Sequence, residues 1–171
     1  GARRGGLIRG PGVLENARRV DTTVLDKTGT LTTGRMQLAA VVGSGVSEGD
    51  VLAMAGAVEH ASEHPVARAV AAAATERLGT LAPVDGFRNE RGRGVRGRVD
   101  GHDVLVGRRS WLATELGASV DDAAWLDAFF DQWEARGATV AAVAWGGAVR
   151  GAVAVADVRV RIHHEKLLEL I

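Results

Sequence analysis

The sequence predicts a mixed α/β protein in two parts: a long α+β insert with an antiparallel sheet, set between two short pieces of a second domain. Three observations carry this. The β-branched run Thr22-Thr23-Val24-Leu25 stops at Asp26, as a buried strand ending in a polar residue does. Two helical stretches follow it, from Ser47 to about His60 and from Pro65 to about Leu78. From Val84 to Gly107 apolar alternation is then broken by Gly92, Gly94, Gly97 and Gly101, a pattern of antiparallel hairpins.

The elements can be justified in order. Val13 to Val20 reads as a short amphipathic helix, and Leu38 to Val42 as a strand closed by Gly43-Ser44-Gly45. Ser47 suits an N-cap, with Glu48 and Asp50 placing acidic charge at the positive end of the helix. Pro65 suits the first turn of the next helix, where its missing N–H costs nothing. Asp100-Gly101 is a two-residue turn between Val99 and the apolar run from Val104. Helices follow over 109–116 and 121–136, and strands over Thr139–Trp145 and Ala148–Ala156 flank Gly146-Gly147. Trp125 and Phe129, four apart on one helical face, are expected to pack with the other aromatic residues rather than do chemistry. The resulting organisation is 1–34, 35–150 as a domain of its own, and 151–171 as the returning segment with an atypical tail.

Composition narrows the function. Of the 171 residues, 46% are hydrophobic and 25% charged, with 21 basic and 21 acidic side chains, which disfavours disorder and a generally cationic nucleic-acid or membrane binder. With no cysteine, disulfide scaffolds, thiolate zinc sites and Cys nucleophiles are excluded. No apolar run approaches the roughly 20 residues that cross a bilayer. The start at Gly1 rather than Met suggests a piece of a longer chain.

The most informative stretch is Asp26-Lys27-Thr28-Gly29-Thr30-Leu31-Thr32. A carboxylate at the carboxyl end of a buried strand sits where open α/β sheets place their ligands. A loop containing Gly29 can turn N–H groups toward a phosphate, and the threonines add hydroxyls. Such a carboxylate can act as a nucleophile and form an acyl phosphate. All but two of the basic residues are Arg, and one of the exceptions, Lys27, falls here.

Asp26 to Thr32 resembles the phosphorylation signature of P-type ATPases, and Gly6 to Gly10 with Leu14-Glu15 resembles the approach to it in the heavy-metal-transporting branch. The resemblance continues to about Asp157. It implies a partial haloacid dehalogenase-like, Rossmannoid phosphorylation domain interrupted by a nucleotide-binding domain, whose antiparallel sheet is flanked by helical pairs. It also implies that Asp26 is phosphorylated, with Lys27, Thr28 and Thr30 around it and Asp26 and Thr28 holding Mg²⁺ together with a downstream Asp. Haloacid dehalogenase-type phosphatases carry an acid-base Asp two residues after the nucleophile. Thr28 cannot do that work, so the phosphoenzyme should be long-lived, as a pump requires.

His60 and His64 are spaced as a helical zinc pair, but Pro65 breaks the helix and no third ligand is near. Ser62-Glu63-His64-Pro65 instead resembles the Ser-Glu-His-Pro motif of the heavy-metal pumps, which implies that His64 and Glu59 recognise adenine. A carboxylate can accept from the exocyclic amine, and an imidazole can stack or hydrogen-bond beside the purine. Gly92-Arg93-Gly94 resembles the family's Gly-x-Gly element, where missing β-carbons would let the nucleotide lie against the backbone. Gly107 matches the last nucleotide element, with Arg108 replacing the usual Asn.

The resemblance thus implies ATP and Mg²⁺ as cofactors, and phosphorylation, actuator and transmembrane domains of a parent pump as partners, on the cytoplasmic face of a membrane. Copper is the first expectation for the cargo, with zinc, cadmium and cobalt open, and the cargo ion is not expected to bind these residues. The Thr-Gly-Asp and Gly-Asp-Gly-x-x-Asn-Asp loops that complete catalysis are absent from the sequence, so this chain is expected to bind ATP with little turnover. The alternatives are a phosphatase, disfavoured by Thr28, and a nucleic-acid module using the Arg/Gly segment 88–98, disfavoured by its lack of stacking aromatics.

Overall fold

A computed structural model describes residues 35–117 and 124–158. The expected elements over Val13–Val20 and Thr22–Leu25, and the tail beyond 158, lie outside the described residues. Ten elements are seen: β1 (Met36–Gly43), α1 (Glu48–Glu59), α2 (Pro65–Leu78), β2 (Val84–Glu90), β3 (Gly94–Val99), β4 (His102–Gly107), α3 (Arg109–Leu116), α4 (Ala124–Glu134), β5 (Thr139–Trp145) and β6 (Ala148–Asp157). The six strands form one sheet in the order β1-β6-β5-β4-β3-β2, every neighbouring pair antiparallel.

Local chemistry explains most boundaries. α1 opens with a complete capping box: the Ser47 side chain accepts from the Asp50 N–H at 3.0 Å while the Ser47 N–H donates back to the Asp50 carboxylate. Pro65 occupies the first turn of α2. Asp100 and Gly101 both take positive φ, 48° and 79°, the backbone a two-residue hairpin turn requires. Gly146 and Gly147 do the same between β5 and β6.

Period-2 alternation sends side chains to two cores, one on each face of the sheet. On one face Val104, Val106, Val143, Val153 and Val155 pack beneath Val51, Leu52, Val58 and Val70 of α1 and α2. On the other, Leu105, Ala142, Ala144, Ala152 and Ala154 meet Trp111, Leu112, Leu126 and Phe130 of α3 and α4. Small alanines on β5 and β6 thereby leave room for the bulkier side chains opposite. Trp125, Phe129 and Trp133 pack half-buried against this second core.

One expected boundary differs from where the sheet stops. β6 runs unbroken past residue 150 to Asp157, paired by β1 from Gly43↔Gly151 to Met36↔Asp157 and by β5 from Trp145↔Ala148 to Thr139↔Val155. Residues 151–157 are therefore an interior strand of this sheet. Their Val/Ala alternation continues that of the preceding residues, and both faces of the strand are already covered.

Candidate functional site

The corner between α1 and α2 is built by its own short sequence. α1 ends at Glu59, whose carbonyl accepts from the Ser62 N–H at 2.9 Å. The Ser62 hydroxyl accepts from the His64 N–H at 3.3 Å, and His64 takes the extended N-cap conformation of α2. Its Nδ1 then accepts from the Val66 N–H at 3.2 Å. An accepting Nδ1 carries no proton, so the neutral imidazole presents an Nε2–H donor on its far side. His64 is thus a helix cap as well as a candidate ligand residue.

Glu59 is the unusual member. It is 7% exposed, and its carboxylate accepts no hydrogen bond and meets no cation. Burial pushes this carboxyl up from 4.5 to about 7. No fully buried side-chain oxygen or nitrogen lacks a partner among the described residues, so the Glu59 carboxyl opens into the cleft it lines, where it can meet a donor.

Glu59 and His64 share a cleft of about 260 Å³ with Gly92, Gly94 and Gly107. All five residues expected at the nucleotide site therefore come together, although they belong to a helix end, two loops and the ends of two strands. The structure adds residues that the sequence gave no reason to choose: Thr139, Val140 and Ala141 of β5 also line the cleft, brought there by β4–β5 pairing. Arg93 and Arg108 are its two cations.

The expected reason for Gly94 needs correction, and Gly107 shares its geometry. Gly94 and Gly107 are cross-strand partners. A Cβ on Gly94 would meet the Val106 carbonyl oxygen at 2.2 Å and Trp111 at 2.8 Å, and one on Gly107 would meet the Arg93 carbonyl oxygen at 2.4 Å and Trp111 at 2.9 Å. The space of the missing side chains is filled by the protein itself, not left for a ligand. Gly92 alone is open, with φ +72° and no atom within 4 Å of a Cβ.

The Arg/Gly segment does not form a free basic stripe. Arg96 pairs with Glu115 at 2.8 Å and lies over Trp111, and Arg98 pairs with Asp103 at 3.2 Å. Phe87, just before this stretch, packs against the α1/α2 core, and Trp111 beneath Arg96 is buried, so neither ring is open to stack a base. His60 and His64 fall on separate helix ends, and no group of three or more His, Asp or Glu suited to a metal occurs among the described residues. No helix among the described residues is long and apolar enough to cross a membrane. Asp26, Lys27, Thr28 and Thr30, including the two expected to hold Mg²⁺, lie outside the described residues.

Comparison with known proteins gives a consistent picture. A profile for a haloacid dehalogenase-like hydrolase matches residues 20–169. The chain is 45% identical to "Cation-transporting P-type ATPase B" of Mycobacterium bovis, over 92% of this chain and 21% of that one. It is 38% identical to a copper-exporting P-type ATPase of Legionella pneumophila, over 99% of this chain and 23% of the other. It therefore spans about a fifth of the length of these curated relatives. Among solved structures it is similar to a zinc-transporting PIB-type ATPase in the E2.Pi state, with TM-score 0.64, 30% identity, and 78% and 21% of the two chains covered. It is also similar to the N-domain of a copper-transporting P-type ATPase, with TM-score 0.61, 28% identity, and 70% of this chain and 99% of that one covered.

Proposed function

Because the chain belongs to the haloacid dehalogenase-like hydrolase family, and the curated relatives it matches are cation-transporting P-type ATPases, we propose that residues 36–157 bind the adenine end of ATP in the cleft of Glu59 and His64. P-type ATPases such as these relatives use ATP with Mg²⁺. The observation that carries the reading is Glu59: a largely buried carboxyl, with no protein partner, that opens into a cleft shared with His64, the three glycines, Arg93 and Arg108. Adenine presents an amine donor beside a ring-nitrogen acceptor. A neutral carboxyl matches both, its carbonyl oxygen accepting and its O–H donating. The Nε2–H of His64 supplies a further donor toward the purine edge.

In this reading Asp26 is the residue phosphorylated: its carboxylate would attack the γ-phosphorus of ATP, forming an acyl phosphate as the bond to the ADP leaving group breaks. Mg²⁺ held by Asp26 and Thr28 would neutralise charge on the transferred group. Thr28 carries no acid-base group at neutral pH, so hydrolysis of the acyl phosphate waits on the rest of the pump. The parent protein is read as a heavy-metal pump with actuator and membrane domains, this part facing the cytoplasm. Copper leads as its cargo because the copper-exporting relative covers nearly the whole chain.

Calorimetric titration with ATP, with and without Mg²⁺, tests the site. Saturable binding with Kd between about 10 μM and 1 mM, or about −7 to −4 kcal/mol, is expected, weakened about tenfold by His64→Gln. A folded chain that shows no saturable binding would sink the proposal.

A further inference from the structure

The cleft has a charged exit. At about 260 Å³ it is small for a whole ligand pocket, so a nucleotide seated on Glu59 must send its phosphates out across the rim. Glu90 lines this cleft, and Asp131 and Glu134 line the one beside it, so a free cation between them is what a phosphate would have to find. Arg108 lines both this cleft and the adjoining one of about 590 Å³, which also share Thr139 and Val140. The two clefts thus form one trough with Arg108 at the junction.

Arg108 is also uncommitted. It is exposed, its guanidinium has no hydrogen-bond or ion-pair partner, and it makes no cap bond although it stands at the N-cap of α3. Its neighbour Arg109 is by contrast engaged by Asp127 and stacked over Phe130. The backbone of Arg108 is fixed: its N–H donates to the Arg93 carbonyl at 2.8 Å, and its carbonyl accepts from Trp111 and Leu112. A free guanidinium on a pinned backbone, beside the positive end of a helix, is suited to a polyphosphate.

Resting on the adenine reading of the cleft, we infer that Arg108 grips the β- and γ-phosphates and makes the site selective for nucleoside di- and triphosphates over monophosphate and nucleoside. The Arg93 side chain lines the first cleft but not the second, so it does not follow the phosphates along the trough.

Titration of the chain with adenosine, AMP, ADP and ATP, without Mg²⁺, tests this against Arg108→Asn, Arg108→Gln and Arg93→Gln. In the wild type ATP and ADP should bind at least about fivefold more tightly than adenosine, and the ratio should shrink as salt rises from about 0.05 to 0.5 M. Both Arg108 variants should bring the ATP-to-adenosine ratio close to one, while Arg93→Gln keeps most of it. A ratio unchanged in the Arg108 variants, or lost in Arg93→Gln instead, overturns the inference and leaves the adenine site standing. Absence of saturable adenosine and ATP binding in the folded chain overturns the adenine reading and this inference together.

Discussion

Gly94 and Gly107 lie directly opposite each other on β3 and β4, with the ring of Trp111 seated where both of their side chains would be. The pair is needed before any ligand arrives. Gly94→Ala or Gly107→Ala should destabilise the apo protein by about 1–3 kcal/mol in urea unfolding, because each Cβ strikes a backbone carbonyl oxygen that cannot move aside. Trimming the ring with Trp111→Leu should not rescue either variant. Glycines serving only to admit a ligand would leave apo stability untouched and change binding alone.

Glu59 sets a pH dependence whose sign is fixed by its raised pKa. The unfolded chain gives up this proton near 4.5 and the folded chain near 7. Stability from the neutral folded form is therefore full below about pH 4.5 and lost as pH rises through about 7, a span worth about 3 kcal/mol. Urea midpoints at pH 5 and 8.5 should fall with pH in the wild type more than in Glu59→Gln. Parallel pH profiles for the two proteins would show that Glu59 is solvated. For the same reason, ATP affinity should decline above pH 7 if the neutral carboxyl makes the paired contact with adenine.

His64 does two jobs that substitutions can separate. His64→Asn replaces the Nδ1 acceptor with another side chain favoured at the N-cap, so stability should hold within about 0.5 kcal/mol. His64→Ala should cost about 1 kcal/mol by removing the cap. Both should weaken ATP binding about tenfold. A binding defect in His64→Ala that His64→Asn restores would reduce the residue to a cap.

The approach of α1 to α2 supplies a further check. A Cβ on Gly56 would stand 2.3 Å from the Ala74 Cβ. Gly56→Ala should therefore destabilise thermal unfolding by about 1–2 kcal/mol, although alanine is the better helix former by up to about 1 kcal/mol. A rise in melting temperature would mean that the helices can part without loss.

What the sequence discloses and what it withholds divides along the range of the interactions. The Ser47–Asp50 capping box, Pro65 in the first turn of α2 and the Asp100-Gly101 turn are written within a few residues, and all were legible. The meeting of Glu59, His64 and the three glycines followed from resemblance alone, since nothing local links residue 59 to residue 107. The burial of Glu59 was not legible, because a Glu at a helix end ordinarily faces water. Nor was the part played by Trp111, which acts across β3, β4 and α3 at once. The last strand reads to Ala156 in the sequence, one residue short of its end at Asp157, but its alternation gives no mark where one domain should yield to another.

Met36 and Asp157 face each other across β1 and β6, so the described chain enters the sheet and leaves it through neighbouring, hydrogen-bonded strands. The sheet hangs from a two-stranded stem rather than a pair of independent tethers. A pull on either strand is shared with the other through their ladder. The stem also makes the unit portable. Its open ends lie one strand spacing apart, roughly 5 Å, and a short turn joining Met36 to Asp157 would close it into a circular permutation framework with new ends at any of its hairpins.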